Sequence, residues 1–287
     1  MRHLTVRVPK RQMNLYPVSD VQTGAAGVDT VAFGEYIQEG VADPLGRFIG
    51  IGDYTDSMSP SNRALLDVAE AEGRLYDTSR EALSRGAFSM RDEFITLVEP
   101  SVGRWDWLLK GHHKYDYKVR LDDGTVSVRS TDHDIAEYVG APYLGEAGKA
   151  IGSAMVKYVF PARKRGGTEP VLKVYAVHGQ GGSSSWAGPL NQLDKMMRAF
   201  TADIYIVAHH HKEVAARAVK LSDNPEHPTH LKATDSLLIC AGSWMRSYMP
   251  DEVTYAEDGL MVPLATGAPI IQVSVKDNDA FKIRALV

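Results

Sequence analysis

Aspartate and histidine residues follow several apolar runs of this sequence, at the point where each run ends. The four clearest cases are Asp20, Asp53, His178 and His209. Carboxylates and imidazoles are the protein ligands of zinc, manganese and iron. If the runs are parallel strands of a layered α/β fold, their carboxyl ends share the edge at which such folds bind ligands. The pattern therefore predicts a metal site with more than one ion.

Each of these residues also has a plainer interpretation when taken alone. Asp20 and Asp53 could be turn formers or helix N-caps. The three consecutive histidines at 209–211 could be a solvated loop. Their joint occurrence behind apolar runs favours a shared site. His133, which lies between two aspartates in a polar stretch, is better interpreted as a surface or supporting residue.

The elements that must position these side chains are short β-branched and aromatic runs between turn signals. The predicted strands are Leu15–Val18, Arg47–Ile51, Leu172–Val177, Asp203–Val207, Ser236–Cys240, Pro269–Val275 and Phe281–Val287. The predicted helices are Thr30–Glu39, Asn62–Phe88 and Leu190–Phe200. Asp122–Gly124 is expected to be a hairpin turn and Arg163–Gly167 an exposed tip. Strands alternating with helices favour a layered α/β fold, and with no visible linker we predict a single domain over residues 1–287.

The composition excludes several classes of protein. The chain has 287 residues with a formal charge of -4, and 44% hydrophobic with 24% charged residues excludes a disordered, collagenous or coiled-coil chain. Apolar runs such as Ile204–Ala208 are far too short to span a bilayer, and the basic N-terminus lacks the apolar segment of a signal peptide. The single cysteine, Cys240, suits a reducing compartment. We therefore expect a cytoplasmic protein without a membrane partner.

Five short segments carry the candidate residues in a fixed order along the chain. They are Asp20–Gln22, Gly52–Asp56, Gly111–His113, Val177–Gly179 and Ala208–His211. This order resembles the calcineurin-like metallophosphoesterase superfamily, whose pattern is D-x-H, G-D-x-x-D, G-N-H-D/E, H and G-H-x-H. The resemblance covers Leu15 to about Lys212 and implies a four-layer α/β/β/α sandwich.

The sequence departs from the family pattern at several positions. Gln22 replaces a histidine, and its neutral carbonyl oxygen is a weaker ligand for these metals. His112 replaces an asparagine and can still bind a metal through nitrogen. Lys114 replaces an acid and cannot orient the neighbouring histidine as a carboxylate would, which leaves Asp116 as a nearby substitute. Ala208 in place of glycine is a mild change.

The resemblance implies two divalent cations and a role for each motif residue. The expected ligands are Asp20 and His211 at one cation, with Gln22 as a weak donor, His112, His178 and His209 at the other, and Asp53 between the two. Manganese is the first expectation, with zinc, iron, nickel or magnesium as alternatives. His113 matches the family's catalytic histidine, which protonates the leaving oxygen. A metal-bridging hydroxide would be the nucleophile.

The implied activity is phosphoester hydrolysis. Phosphodiesters, including DNA and nucleotides, are slightly favoured because the family members most similar to this sequence include DNA-repair exonuclease-like phage proteins. The charge of -4 weakens a nuclease interpretation, since it allows only a local contact surface. Two alternatives stay open: a metal- or nucleic-acid-binding protein with weakened catalysis, suggested by Gln22, His112 and Lys114, and a phosphomonoesterase. The substrate and the oligomeric state are not predicted.

Overall fold

Strands and helices alternate along the chain, as the sequence predicts. A computed structural model describes residues 2–145, 152–181, 185–223, 229–250, 253–254, 257 and 262–287. The strands are β1 (Arg2–Arg7), β2 (Gln12–Ser19), β3 (Gly46–Gly52), β4 (Trp105–Leu108), β5 (Asp116–Arg120), β6 (Val126–Ser130), β7 (Ser153–Val159), β8 (Val171–Val177), β9 (Ile204–Val207), β10 (Glu213–Asp223), β11 (Leu231–Ala241), β12 (Ile270–Val275) and β13 (Phe281–Leu286). The α-helices are α1 (Thr30–Ala42), α2 (Pro60–Ala71), α3 (Asp77–Val98), α4 (Thr131–Tyr138) and α5 (Ala187–Ala199), and a 3-10 turn spans Glu99–Ser101.

The strands form two large sheets and one separate hairpin. The first sheet has the order β13-β12-β2-β3-β4, the second has the order β1-β7-β8-β9-β11-β10, and β5 pairs with β6 alone. Within the first sheet β2, β3 and β4 are parallel, and within the second β8, β9 and β11 are parallel. The loops after β2, β3 and β4 therefore meet at one edge of the first sheet, and those after β8, β9 and β11 at one edge of the second. These are the loops that carry the candidate residues.

The two sheets pack against each other through a shared hydrophobic core. Leu15, Ile49 and Trp107 of the first sheet belong to one buried cluster with Val174 and Ile206 of the second. The indole Nε1 of Trp107 donates a hydrogen bond of 3.0 Å to the hydroxyl of Tyr158 across the interface. This packing fixes the position of one sheet relative to the other, and therefore also the relative positions of the loops at their carboxyl edges.

Helices cover the outer face of each sheet. Phe33 of α1, Phe94 of α3 and Ile135 of α4 pack with Tyr16 and Phe48 of the first sheet. On the second sheet, Leu193 and Met196 of α5 pack with Tyr205 and Cys240. The predicted α/β class is confirmed, and the arrangement is compatible with a metallophosphoesterase sandwich.

The prediction of one continuous helix over Asn62–Phe88 is wrong. The structure has two helices there, α2 and α3, and the chain turns at Gly73, whose φ is +65°. A residue in the left-handed conformation commonly ends a helix, and glycine adopts this conformation without steric cost. Ala, Glu and Arg on both sides favour a helix, and this composition concealed the break. Ser59 caps α2 by accepting a hydrogen bond from the amide of Asn62, and α2 buries none of its residues.

The remaining predicted elements agree with the structure apart from their lengths. The strand predicted over Ser236–Cys240 is the second half of β11, which pairs along its whole length with the unpredicted β10. Asp122–Gly124 joins β5 to β6, and Arg163–Gly167 lies in the exposed turn between β7 and β8. In the part of the chain that the structure describes, no helix is long and apolar enough to cross a membrane.

Candidate metal centre

All seven predicted metal ligands lie in loops that follow parallel strands. Asp20 and Gln22 follow β2, Asp53 follows β3, His112 follows β4, His178 follows β8, and His209 and His211 follow β9. Backbone hydrogen bonds tie the first two loops together, because the amide of Asp20 donates to the carbonyl of Gly52 at 3.1 Å and that of Gln22 to Asp53 at 3.1 Å. The sheet edges therefore bring together residues that are far apart in sequence.

Four of these residues converge on one point. Ligand atoms of Asp53, His112, His178 and His209 all lie within 4.8 Å of one another. His178 Nε2 is 3.0 Å from Asp53 Oδ2, and His112 Nδ1 is 3.3 Å from His209 Nδ1. Nitrogen and oxygen ligands about 2.0–2.2 Å from one ion stand about 3.0–3.5 Å from each other. The cluster therefore suits a divalent cation.

Unsatisfied polar atoms at the centre agree with this interpretation. Asp53 Oδ2 and His178 Nε2 are buried and lie 3.0 Å from each other, and neither forms a regular hydrogen bond with the residues that the structure describes. Asp20 Oδ1 is also buried and forms no hydrogen bond within the described part of the chain. Leaving a buried polar atom unpaired costs about 1–3 kcal/mol. A bound cation would satisfy these atoms.

Asp20, Gln22 and His211 form a second group beside this cluster. His211 Nε2 is 3.5 Å from Asp20 Oδ1 and 3.3 Å from the amide nitrogen of Gln22. Asp20 Oδ2 accepts a hydrogen bond of 2.9 Å from the backbone amide of His209. The carboxylate of Asp20 thus joins the second group to the loop of the first.

The backbone of these loops is strained at the candidate ligands. In the described parts of the chain, seven residues other than glycine have positive φ, and five of them are predicted ligands. The five are Asp20, Gln22, Asp53, His209 and His211, with φ between 47° and 70°. Such conformations cost about 1–3 kcal/mol each and cluster at functional sites.

The comparisons with known proteins identify similar solved structures. No protein-family model matches the chain, and no curated protein matches it. Similar solved structures include a single mutant of Vps29 from Entamoeba histolytica, with TM-score 0.33, 9% identity, and coverage of 96% of this chain and 100% of that chain. They also include a predicted phosphoesterase from Streptococcus pneumoniae TIGR4 (TM-score 0.33, 11% identity, coverage 96% and 90%) and the calcineurin-like phosphoesterase YfkN from Bacillus subtilis (TM-score 0.28, 10% identity, coverage 96% and 89%).

The ordered motifs and their convergence at the sheet edges agree with the resemblance that the sequence suggests. The chain resembles calcineurin-like metallophosphoesterases.

The turn that carries His112 and His113 fits tightly around Asp53 in this metallophosphoesterase-like centre. Asp53 Oδ1 accepts hydrogen bonds from the backbone amides of His112 and His113, the latter at 2.9 Å. A Cβ atom at Gly111 would overlap the amide nitrogen and Oδ1 of Asp53. The amide of Gly111 donates to Asp132 Oδ2 at 2.9 Å from the other side. The close approach requires glycine at position 111.

Substitution of Gly111 by alanine is expected to weaken metal binding about 10- to 100-fold, the usual effect of disturbing a ligand's supporting contacts. The added methyl group displaces either Asp53 or the turn. Isothermal titration with Mn²⁺ measures the loss. Gly34→Ala is the matched control, because a Cβ there meets nothing within 4 Å, and alanine in a helix stabilises by about 0.5–1 kcal/mol. Unchanged Mn²⁺ affinity in Gly111→Ala would contradict this role.

The acid that contacts His113 is Asp56, and the expectation that Asp116 could orient this histidine is wrong. His113 Nδ1 lies 2.6 Å from Asp56 Oδ1. Asp116 instead accepts a hydrogen bond of 2.5 Å from the buried ammonium of Lys114. Burial opposes protonation of His113, but the hydrogen bond to Asp56 and nearby carboxylates outweigh it, so the pKa of His113 is raised. Asp56 is the last residue of the G-D-x-x-D motif, and this signal could have identified it.

The electrostatics of the centre leave several imidazoles neutral. Burial, and next the charge of His178, lower the pKa of His112 to about 3 and that of His209 to about 4. Burial raises the pKa of Asp20 to about 7. Burial alone would raise the pKa of Asp53 and lower the pKa of His178. The attraction between the two side chains is stronger than this effect, so the pKa of Asp53 lies below its usual range and the pKa of His178 is raised to about 9. Neutral imidazoles and a carboxylate are the protonation states that bind metals, so a bound cation would displace the proton that Asp53 holds on His178.

His133 and Cys240 lie outside the metal centre. His133 stacks on Tyr143 at 5.2 Å, near the start of α4. Cys240 is buried in β11. In the glycine-rich loop after β8, Gly179 and Gly181 have positive φ, and Gly182 and Ser183 lie outside the described residues.

Proposed function

We propose that this protein is a metal-dependent phosphoesterase. The convergence of Asp53, His112, His178 and His209, with unpaired ligand atoms at its centre, is the observation that carries the proposal. A divalent cation, when bound, acts as a Lewis acid on a phosphoryl oxygen and lowers the pKa of a water molecule. His113, held by Asp56 beside this cluster, supplies the proton-donating group that ester cleavage needs.

Two cations are proposed, with manganese as the first choice. One would be held by Asp53, His112, His178 and His209. Asp20 and His211, with Gln22 as a weak donor, would hold the second together with Asp53. The 3.5 Å between His211 and Asp20 and the unpaired Oδ1 of Asp20 support this second site.

The chain's own residues have separate tasks in this proposal. Two backbone amides fix Oδ1 of Asp53, so its Oδ2 faces the cluster. Asp56 engages Nδ1 of His113, which leaves Nε2 to donate a proton to the departing ester oxygen. The hydrogen bond to Asp56 and the nearby carboxylates raise the pKa of His113, which favours the protonated form that this role needs. The leaving group therefore departs as an alcohol.

Metal removal tests the proposal directly. Protein stripped of metal and then loaded with Mn²⁺ is expected to hydrolyse phosphodiesters at least about 100-fold faster than the stripped form, because the cation stabilises the transition state by several kcal/mol. Rates on matched mono- and diesters under Mn²⁺, Zn²⁺, Ni²⁺ and Mg²⁺ measure the effect, and a higher rate on diesters is expected. Equal rates with and without metal would refute a metal-dependent reaction.

A second candidate is a metal-binding protein with weakened catalysis. It is favoured by Gln22, which lies 3.3 Å from His211 and stands where the family pattern has a metal-binding histidine. Stoichiometric metal content without turnover on either ester class would support this candidate against the first.

Substitution of Asp56 by asparagine is expected to lower the rate about 10- to 100-fold. Without the carboxylate, the pKa of His113 falls, so the acid form is lost at lower pH and the alkaline limb of the rate profile moves to lower pH. The profile between pH 5 and 10 in saturating Mn²⁺ measures the shift. Asp116→Asn is the control, since Asp116 pairs with Lys114 and should leave the limb in place. Superimposable profiles for Asp56→Asn and the parent protein would argue against this dyad.

A further inference from the structure

A small pocket opens directly beside the candidate acid. Its volume is about 320 Å³, and His113, Asp56 and Gln22 are among the residues that line it. This volume lies at the lower limit of small-molecule sites, which span about 300–1,000 Å³. We call it the side pocket. A group bound there would contact the histidine that is proposed to protonate the leaving oxygen.

The other walls of the side pocket are apolar or neutral. Ala25, Ala26, Met58 and Met245 form its apolar part, and both methionines are largely buried. Uncharged polar groups come from Ser57, Ser59 and Asn62. Ser57 and Ser59 are partly engaged locally, Ser57 with the hydroxyl of Thr55 at 2.8 Å and Ser59 as the cap of α2. The pocket thus offers contact area and a few hydrogen bonds.

The part of this lining that the structure describes has no excess of positive charge. No lysine or arginine is among its residues, and its one carboxylate, Asp56, already pairs with His113. Arg63 of α2 is nearby in sequence, but its guanidinium donates to the backbone carbonyls of Met58, His112 and Lys114 at 2.7, 2.5 and 2.9 Å. The lining itself therefore offers an anionic group no lysine or arginine side chain to pair with.

From this lining we propose that the side pocket receives the leaving alcohol of the phosphoester, and that this alcohol is compact, uncharged and partly apolar. The inference rests on the proposed phosphoesterase function and narrows its substrate class. An internal linkage of a nucleic acid fits poorly, because its leaving nucleoside carries the next phosphate. A free neutral alcohol or phenol satisfies both the volume and the charge of the pocket.

Two phosphodiesters that differ in leaving-group charge test the inference. Methyl phenyl phosphate and methyl 3-carboxyphenyl phosphate share the methyl phosphoryl part, and their leaving phenols have closely similar acidity. With the Mn²⁺-loaded protein, the phenyl ester is expected to be hydrolysed with a kcat/KM at least tenfold higher. Equal values, or a preference for the carboxylate, would overturn the inference alone. Absence of hydrolysis of both esters would overturn the proposed function and this inference with it.

A charge introduced into the pocket provides the matched variant. Ala26 lines the pocket, is exposed, and has no proposed part in metal binding or proton transfer. Ala26→Lys is expected to reduce the preference for the phenyl ester to less than threefold by improving the carboxylate ester, whereas Ala26→Gln, of similar size, should leave the preference intact. An unchanged preference in Ala26→Lys would place the leaving group elsewhere.

Discussion

Replacement of Asp53 by asparagine is expected to remove both metal binding and activity, with a loss of at least about 1,000-fold in kcat/KM. A loss of this size corresponds to about 4 kcal/mol of transition-state stabilisation, the scale expected of cation chemistry. The carboxylate is central because one oxygen accepts two backbone amides and the other faces His178. Asparagine keeps the size but removes the negative charge that a cation needs.

The metal content of purified Asp53→Asn, measured by elemental analysis, is the deciding readout. Asp203→Asn is a suitable control, because Asp203 is a partly buried aspartate at the start of β9 that accepts a hydrogen bond of 2.7 Å from the amide of Lys173. It should lose stability but keep metal and activity. Full metal content in Asp53→Asn would show that this carboxylate is not a ligand.

Replacement of His113 by alanine is expected to lower kcat about 10²- to 10⁴-fold while leaving metal content unchanged. This range is typical of the loss of a general acid. The loss should be largest for alkyl esters and smallest for p-nitrophenyl esters, because a good leaving group departs without a proton. If His113 had only a structural role, its removal would lower kcat equally for both kinds of ester.

His133→Ala is the control for His113→Ala. His133 is a partly exposed histidine that stacks on Tyr143 outside the metal centre, so its removal should leave kcat within about twofold of the parent, as expected for a group without a part in proton transfer. Loss of metal from His113→Ala, or an equal effect on both leaving groups, would contradict the acid role.

The strands that precede Asp20, Asp53, His178 and His209 were predictable, and with them the convergence of these residues, because both depend on local patterns. Apolar runs that end in Asp20, Asp53, His178 and His209 indicate parallel strands with polar loops, and parallel strands bring those loops to one edge. The helix break at Gly73 was missed because its surroundings have high helix propensity. β10 was missed because it alternates small and polar residues and is defined mainly by its partner β11.

Contacts between distant segments could not be derived from the sequence. Asp56 and His113 are 57 residues apart, and only the fold shows that Asp56, rather than Asp116, contacts this histidine. The same holds for Asp132, whose carboxylate holds the amide of Gly111. The structure also shows the environment of Lys114, which replaces the acid of the family pattern. Its ammonium group is buried and paired with Asp116.

The left-handed backbone at the five loop residues has a consequence for the lifetime of the protein in a cell. A ligand that binds only the folded form stabilises it more as the ligand concentration rises, and loss of that stabilisation increases the fraction of molecules in which segments are open. Proteases cut such opened segments. Scarcity of the cation would therefore shorten the half-life of this polypeptide, so that its abundance would follow the supply of the metal even where no substrate is present.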